Sequence, residues 1–210
     1  MTRGTSAYHR RIAAENRATI LTAAAGAFLQ FGYDRTSLAR IAADAGVSKA
    51  TLFKQFPTKA ELFEATVLDV GGRLPGSEFT VPSDVDLRTG LQVVGDAYVA
   101  LLDRPGMAEL LRIVIAESPQ FPELRERTFD FGSLPVLTAL NRLLEGTWYA
   151  DGADAPPRDV IAAQFLGMIA TVVFWPRLLH GGWELSADEK REVVAHAVQT
   201  IVARCEAAQA

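Results

Sequence analysis

The sequence predicts an all-α protein in two parts, an N-terminal three-helix unit built round a helix-turn-helix and a C-terminal helical bundle. Three observations carry that prediction. The stretch Leu38 to Phe56, LARIAADAGVSKATLFKQF, reads as two short helices joined by a tight turn. Apolar residues elsewhere recur at helical spacing, and no segment alternates apolar and polar residues with a period of two.

Within the motif, Leu38, Ile41, Ala42 and Ala45 form one apolar stripe. Gly46 follows where a left-handed residue ends a helix cheaply. Val47 can plug the angle between the helices, and Ser48 is a good N-cap for the second. Leu52, Phe53 and Phe56 are read as the inner face of that helix, with Ser48, Lys49, Thr51 and Gln55 outward and Ala50 small enough for close approach. A buried back and a small hydrogen-bonding front suit a helix that enters the DNA major groove. On the motif alone an ordinary αα-corner fits equally well.

The flanks decide between them. Upstream, Ile20, Leu21, Ala24, Phe28 and Leu29 mark a helix ending at Phe31-Gly32-Tyr33. Ahead of it, Met1 to Ile12 is expected as an unordered arm. Downstream, Thr58-Lys59-Ala60-Glu61 is a capping box opening a further helix with Leu62, Phe63, Thr66, Val67 and Val70 on its apolar face.

These residues in this order resemble the TetR family of bacterial transcriptional regulators. The match runs through Ile20-Leu21, Ala24, Phe28, Phe31-Gly32-Tyr33, Thr36, Ile41-Ala42, Ala45 to Lys49, Thr51 to Phe53, Phe56, Lys59 and Leu62-Phe63. It implies a DNA-binding domain over residues 15–74 and a ligand-binding and dimerisation domain over 75–210. The recognition helix is then Ser48 to Phe56. Lys49, Ala50 and Thr51 are expected at base edges with Ser48 assisting, and Thr36, Lys54, Gln55 and Lys59 at phosphates. Arg10, Arg11 and Arg17 are weaker candidates for the backbone or minor groove. The family usually has Tyr where this chain has Phe53, and Tyr or His where it has Gln55. Phe53 has no hydroxyl to donate, whereas Gln55 keeps an amide.

Charge agrees with that division. The chain carries a net -4, but residues 1–59 hold nine basic and three acidic side chains, a net of +6. The remainder holds 12 basic and 22 acidic side chains, a net of -10. Phosphate binding depends on local positive charge, so a basic N-terminal unit on an acidic body fits DNA better than the total suggests.

After Val70 a loop over Pro75 to Ser83 is expected, then helices only. One spans Leu87 to Leu102, and another begins at Pro105 and ends at Glu117 before Ser118-Pro119. The chain restarts at Pro122 toward Glu145 with breaks at Gly132 and Pro135. Asp151 to Pro157 is a loop, Arg158 to Leu179 a helix bent near Pro176, and Ser186 to Glu189 a capping box for a last helix to Ala207. The segment from Leu110 to Glu145 is similar to the AefR-like branch. The resemblance implies that the last two helices pair with those of a second copy. Val194, Val198, Ile201 and Val202 on the last stripe are the expected dimer interface, with a core helix of a monomer as the competing reading.

The resemblance also implies a small-molecule cavity in the C-terminal bundle. The candidate lining is Tyr98, Met107, Phe129, Phe131, Trp148, Tyr149, Phe165, Met168, Phe174 and Trp175, suited to an apolar or aromatic effector. Glu117, Arg112 and Gln164 could add polar contacts, and ordinary core packing is the competing reading for every aromatic in the set. A repressor released from a palindromic operator by such an effector is the expected function. The alternative is a helical small-molecule or lipid-binding module without specific DNA binding.

No catalysis is expected. His9, His180 and His196 sit in no recognisable catalytic or metal arrangement, no phosphate-binding glycine motif occurs, and no cofactor or metal is implied. The single Cys205 can form no intrachain disulfide. The N-terminus is polar and basic, and the longest apolar run, Phe165 to Trp175, falls short of the ~20 residues that span a bilayer. A cytoplasmic protein with no membrane partner is expected.

Overall fold

Helix α1 runs from Arg3 to Phe31 without a proline. The arm expected to be unordered is therefore helical from Arg3 onward. Extending an existing helix avoids the cost of nucleation, and Ala7 to Ala14 is rich in good helix formers. Arg11 pairs with Glu15 at 3.5 Å across one turn of its exposed face. The computed structural model describes residues 3–70, 80–82, 84–124, 135–147 and 157–207, and among them there is no strand.

Three short helices follow: α2 (Leu38–Asp44), α3 (Lys49–Gln55) and α4 (Lys59–Val70). Each starts on a hydroxyl. Ser37 accepts from the Arg40 amide, Ser48 from Thr51 and Thr58 from Glu61. After α5 (Leu87–Leu102), helix α6 spans Met107–Glu117. Pro105 precedes the first turn of α6, and Gly106 caps it at φ +85°.

The chain forms two compact units. The first takes Met1–Gly72 together with Pro105–Asp130, the second Arg73–Arg104 with Phe131–Ala210. Beside the expected domains 15–74 and 75–210, the first compact unit also takes in α6 from beyond α5. Packing explains this. Leu110, Val114 and Leu124 join Ile20, Phe28, Ile41, Leu52 and Phe63 in one buried core. Phe63 stands edge-on to both Phe28 and Tyr33, and Tyr33 edge-on to Phe121.

The second unit holds α5, α7 (Pro135–Thr147), α8 (Arg158–Val173), α9 (Trp175–Leu179) and α10 (Ala187–Ala207). The single bent helix expected over Arg158 to Leu179 is two, parted at Phe174, with Pro176 in the first turn of α9 where its missing N–H costs nothing. Close helix crossings are made at glycines. A Cβ on Gly90 would lie 2.5 Å from Leu143 Cδ1, and one on Gly95 2.5 Å from Val194 Cγ1. The Asp103 carboxylate, at the end of α5, meets Arg177 of α9 at 3.3 Å and Lys190 of α10 at 2.5 Å. Ser186 and Glu189 form a true capping box on α10, each side chain accepting the other's amide proton.

The residues expected at the dimer interface lie inside the second unit. Val194, Val198, Ile201 and Val202 are buried within the single chain, at most 7% exposed. Their stripe packs on α5 and α8 within the single chain. The open side of α10 carries His196, Gln199, Thr200 and Ala203.

Candidate nucleic-acid interface

The turn between α2 and α3 is closed by two reversed bonds. The Val47 amide donates to the Ala42 carbonyl at 3.0 Å and the Gly46 amide to Ala43 at 3.1 Å, a Schellman arrangement with Gly46 at φ +66°. This geometry fixes the angle between the helices. Ile41, Ala42, Leu52 and Phe56 then fill the space behind them, while Val47 is half-buried at the corner.

Helix α3 starts on Ser48, whose Oγ accepts from the Thr51 amide at 3.1 Å and lies 2.9 Å from Thr51 Oγ1. Lys49, Ala50, Phe53 and Lys54 form its exposed outer face, with Thr51 half-buried at the edge. Phe53 departs from the inner-face reading, being 47% exposed. One residue beyond Leu52 is 100° round the helix, which carries Phe53 out of the core. The front of α3 therefore combines two cations, a methyl, a hydroxyl and an aromatic ring.

The other expected contacts divide. Lys54 is exposed. Gln55 is half-buried and donates through Nε2 to the Ala13 carbonyl of α1 at 3.1 Å. Arg17 of α1 lies over the Phe56 ring at 4.5 Å. Thr36 is only 3% exposed, and its hydroxyl donates to the carbonyls of Gly32 (2.6 Å) and Ala27 (3.2 Å). The side chain that the sequence offered to a phosphate is thus used inside the turn. Lys59 donates to the Asp34 carbonyl at 2.9 Å and sits 4.5 Å above the Tyr33 ring. Burial lowers its affinity for a proton, opposed by the charges of Asp34, Glu117 and Glu123.

Three features escaped sequence reasoning. Ser37 caps α2, a role legible from Ser37 preceding the apolar stripe. Arg40 covers the Phe31 ring at 4.1 Å. Glu117 at the end of α6 accepts from the Tyr33 and Asp34 amides, so it serves the first unit and is no pocket residue on this geometry. No local sequence signal announces that pairing.

Among the described residues, the expected effector lining is spread over different surroundings. Phe165 is fully buried core, Trp175 is 53% exposed, Met107 is buried in the first unit, and Met168 lies in an outer groove. Tyr98 is half-buried, and its phenol is pushed up by burial. Phe129, Phe131, Trp148 and Tyr149 lie outside the described residues. Among the described residues no group of three or more His, Cys, Asp or Glu could hold a metal ion, and no helix is long and apolar enough to cross a membrane.

Comparison with known proteins places this geometry. Residues 20–66 match the bacterial regulatory proteins of the tetR family, and residues 89–207 match the C-terminal domain of AefR-like transcriptional repressors. The chain is 29% identical over 144 residues to the nucleoid occlusion factor SlmA of Pasteurella multocida, covering 65% of this chain and 69% of that protein. Among solved structures it is similar to a TetR family transcriptional regulator of Pseudomonas syringae pv. tomato, with 26% identity, 90% and 95% of the two chains covered and a TM-score of 0.65. It is also similar in fold to the flavonoid-responsive regulator FrrA, with 24% identity, 90% and 96% covered and a TM-score of 0.71. With its helix-turn-helix and its C-terminal domain both matched, the chain belongs to the TetR family of bacterial transcriptional regulators.

Proposed function

We propose that the chain is a dimeric repressor that reads a palindromic operator with the outer face of α3. The observation that carries this reading is that face itself, Lys49, Ala50, Thr51, Phe53 and Lys54 presented by a capped helix on a buried back. Lys49 and Thr51 are placed for hydrogen bonds to base edges, and Ala50 and Phe53 for thymine methyl groups. Lys54 suits a phosphate. Gln55 and Lys59 are held by internal partners, so their share in phosphate binding is secondary.

The second copy docks on the open sides of α8 and α10. A groove of about 460 Å³ there is lined by Gly167, Met168, Thr171, Val172, His196 and Thr200, among others. Small residues let a facing helix approach closely, and Val172 leaves apolar surface uncovered in the single chain. A two-fold axis through this groove would give two recognition helices and hence a palindromic site.

A small apolar or aromatic effector acts from the second unit, with half-buried Tyr98 as its polar end. The flavonoid response named for FrrA is consistent with that class. The protein works in the cytoplasm, where bacterial DNA lies. The match of residues 89–207 to AefR-like repressors favours transcriptional control over the nucleoid occlusion named for SlmA.

Mapping the protein on its host chromosome, with transcripts measured after deletion of its gene, tests the direction of control. Raised transcripts beside bound sites support repression. Lowered transcripts at the same sites make the protein an activator.

A further inference from the structure

Helix α6 packs on the rest of the first unit in two ways. Most of its contact is apolar. Leu110 and Val114 enter the core, and a Cβ on Gly106 would lie 3.5 Å from Leu29 and 3.7 Å from Val70. Such contact is non-directional and tolerates sliding. The other end is directional. Glu117, the last residue of α6, takes the Tyr33 amide on Oε1 at 2.9 Å and the Asp34 amide on Oε2 at 2.7 Å. Charge-assisted pairs of this kind fix both position and angle.

The turn they hold is built for that carboxylate. Gly32 sits at φ +77°, and a Cβ there would be 2.6 Å from Glu117 Oε1. The Tyr33 hydroxyl donates to Glu123 Oε1 at 3.3 Å, and Lys59 of α4 donates to the Asp34 carbonyl. Two residues further on, the Thr36 hydroxyl ties the same turn to the Gly32 carbonyl and to Ala27 of α1. Ser37 then opens α2, whose last turn runs through the Gly46 closure directly into α3. A short, hydrogen-bonded run of backbone therefore connects the end of α6 to the start of the recognition helix.

We propose that Glu117 is a positioning residue for DNA reading: it holds the α1–α2 turn, and through that turn sets the angle at which α2 and α3 present their outer face. The proposal rests on the DNA-reading assignment of α3. It gives α6 a polar route to the recognition helix through residues 32–37, separate from its apolar packing on α1 and α4.

The test uses the full chain carrying Glu117→Ala or the nearly isosteric Glu117→Gln, which keeps one acceptor and turns an NH2 group toward the other amide. Residue-resolved amide exchange is measured alongside affinity for a duplex enriched by wild type from a random pool. The expected result is exchange at least about tenfold faster at Tyr33 and Asp34 in Glu117→Ala, spreading into α2 and α3 while α8 and α10 are unchanged. Duplex affinity should fall about tenfold for Ala and less for Gln, with an unchanged salt slope because no phosphate contact is lost. Glu145→Gln, a carboxylate of the second unit, serves as a control expected to leave both readouts alone.

Faster exchange confined to Tyr33 and Asp34 with unchanged duplex affinity would overturn the proposal and leave Glu117 a local cap. Uniform acceleration across both units would overturn it as well. If wild type enriches no duplex, the DNA-reading assignment fails instead, and exchange in α2 and α3 alone decides whether Glu117 orders them.

Discussion

Ser48 and Thr51 meet twice at the start of the recognition helix: the Thr51 amide donates to Ser48 Oγ at 3.1 Å, and the two hydroxyls lie 2.9 Å apart. The pair caps the first turn of α3 and stands at the end proposed to enter the groove. Ser48→Ala should lower unfolding stability by about 1 kcal/mol, the usual value of an N-cap. Ser48→Asp keeps a capping oxygen but sets a negative charge toward DNA. It should hold the melting temperature near wild type while binding to the enriched duplex is lost. Thermal melts and fluorescence anisotropy on the same samples separate the two effects.

The lysines of this unit should behave differently. Lys54 is exposed, so Lys54→Ala should make the slope of log affinity against log salt shallower by about 1. Lys59 is held by the Asp34 carbonyl and the Tyr33 ring. Lys59→Ala should lower the melting temperature and leave the salt slope near wild type. A slope change of the Lys54 size would restore Lys59 to the phosphate contacts.

The buried stripe of α10 and the proposed docking groove between α8 and α10 call for different substitutions. Val198→Asp places an unpaired charge in the core of the second unit and should unfold the chain, seen as loss of helical dichroism. Thr171→Arg, in the outer groove with His196 and Thr200, should instead give a folded monomer in sedimentation velocity. A dimer persisting in Thr171→Arg would move the interface elsewhere.

Acid should loosen two helix starts. The Asp86 carboxyl is held below its ordinary range chiefly by the Thr89 amide, and Glu189 by the hydroxyl and amide of Ser186. A carboxyl that binds its proton less readily when folded stabilises the fold above the unfolded carboxyl's pKa of about 4 and loses that contribution as pH falls through its lower folded value. The urea midpoint should therefore fall below about pH 4. Asp86→Ala and Glu189→Ala should each start lower at neutral pH and fall less on acidification.

Much of this architecture is legible in the sequence because its signals are local. Gly46, Ser48, Thr58 and Ser186 each act within a few residues, and the structure uses them as turn or caps. The limits expected for α5, Leu87 to Leu102, are those observed. What was illegible depends on partners distant in sequence. Glu117 meets residues 83 and 84 positions away, and nothing near it marks it as a clamp on the α1–α2 turn. The Val194 stripe announces burial without saying against what, and Gly95 of α5 brings the covering helix from within the same chain. Thr36 and Lys59 are polar residues at helix starts, a pattern equally suited to phosphate or to the neighbouring carbonyls that hold them. Phe53 shows the opposite failure, an aromatic assigned to the core by type although its place on the helix turns it outward.

The measurement that bears most directly on DNA reading by α3 is enrichment of bound sequences from a random duplex pool at about 150 mM salt, where nonspecific phosphate attraction is strongly reduced. The account predicts a palindrome with half-sites separated by one helical turn or a multiple of it, and loss or relaxation of that preference in Lys49→Ala. A folded, dimeric protein that enriches no sequence with or without candidate apolar effectors, or a Lys49→Ala protein with the wild-type preference, would contradict it.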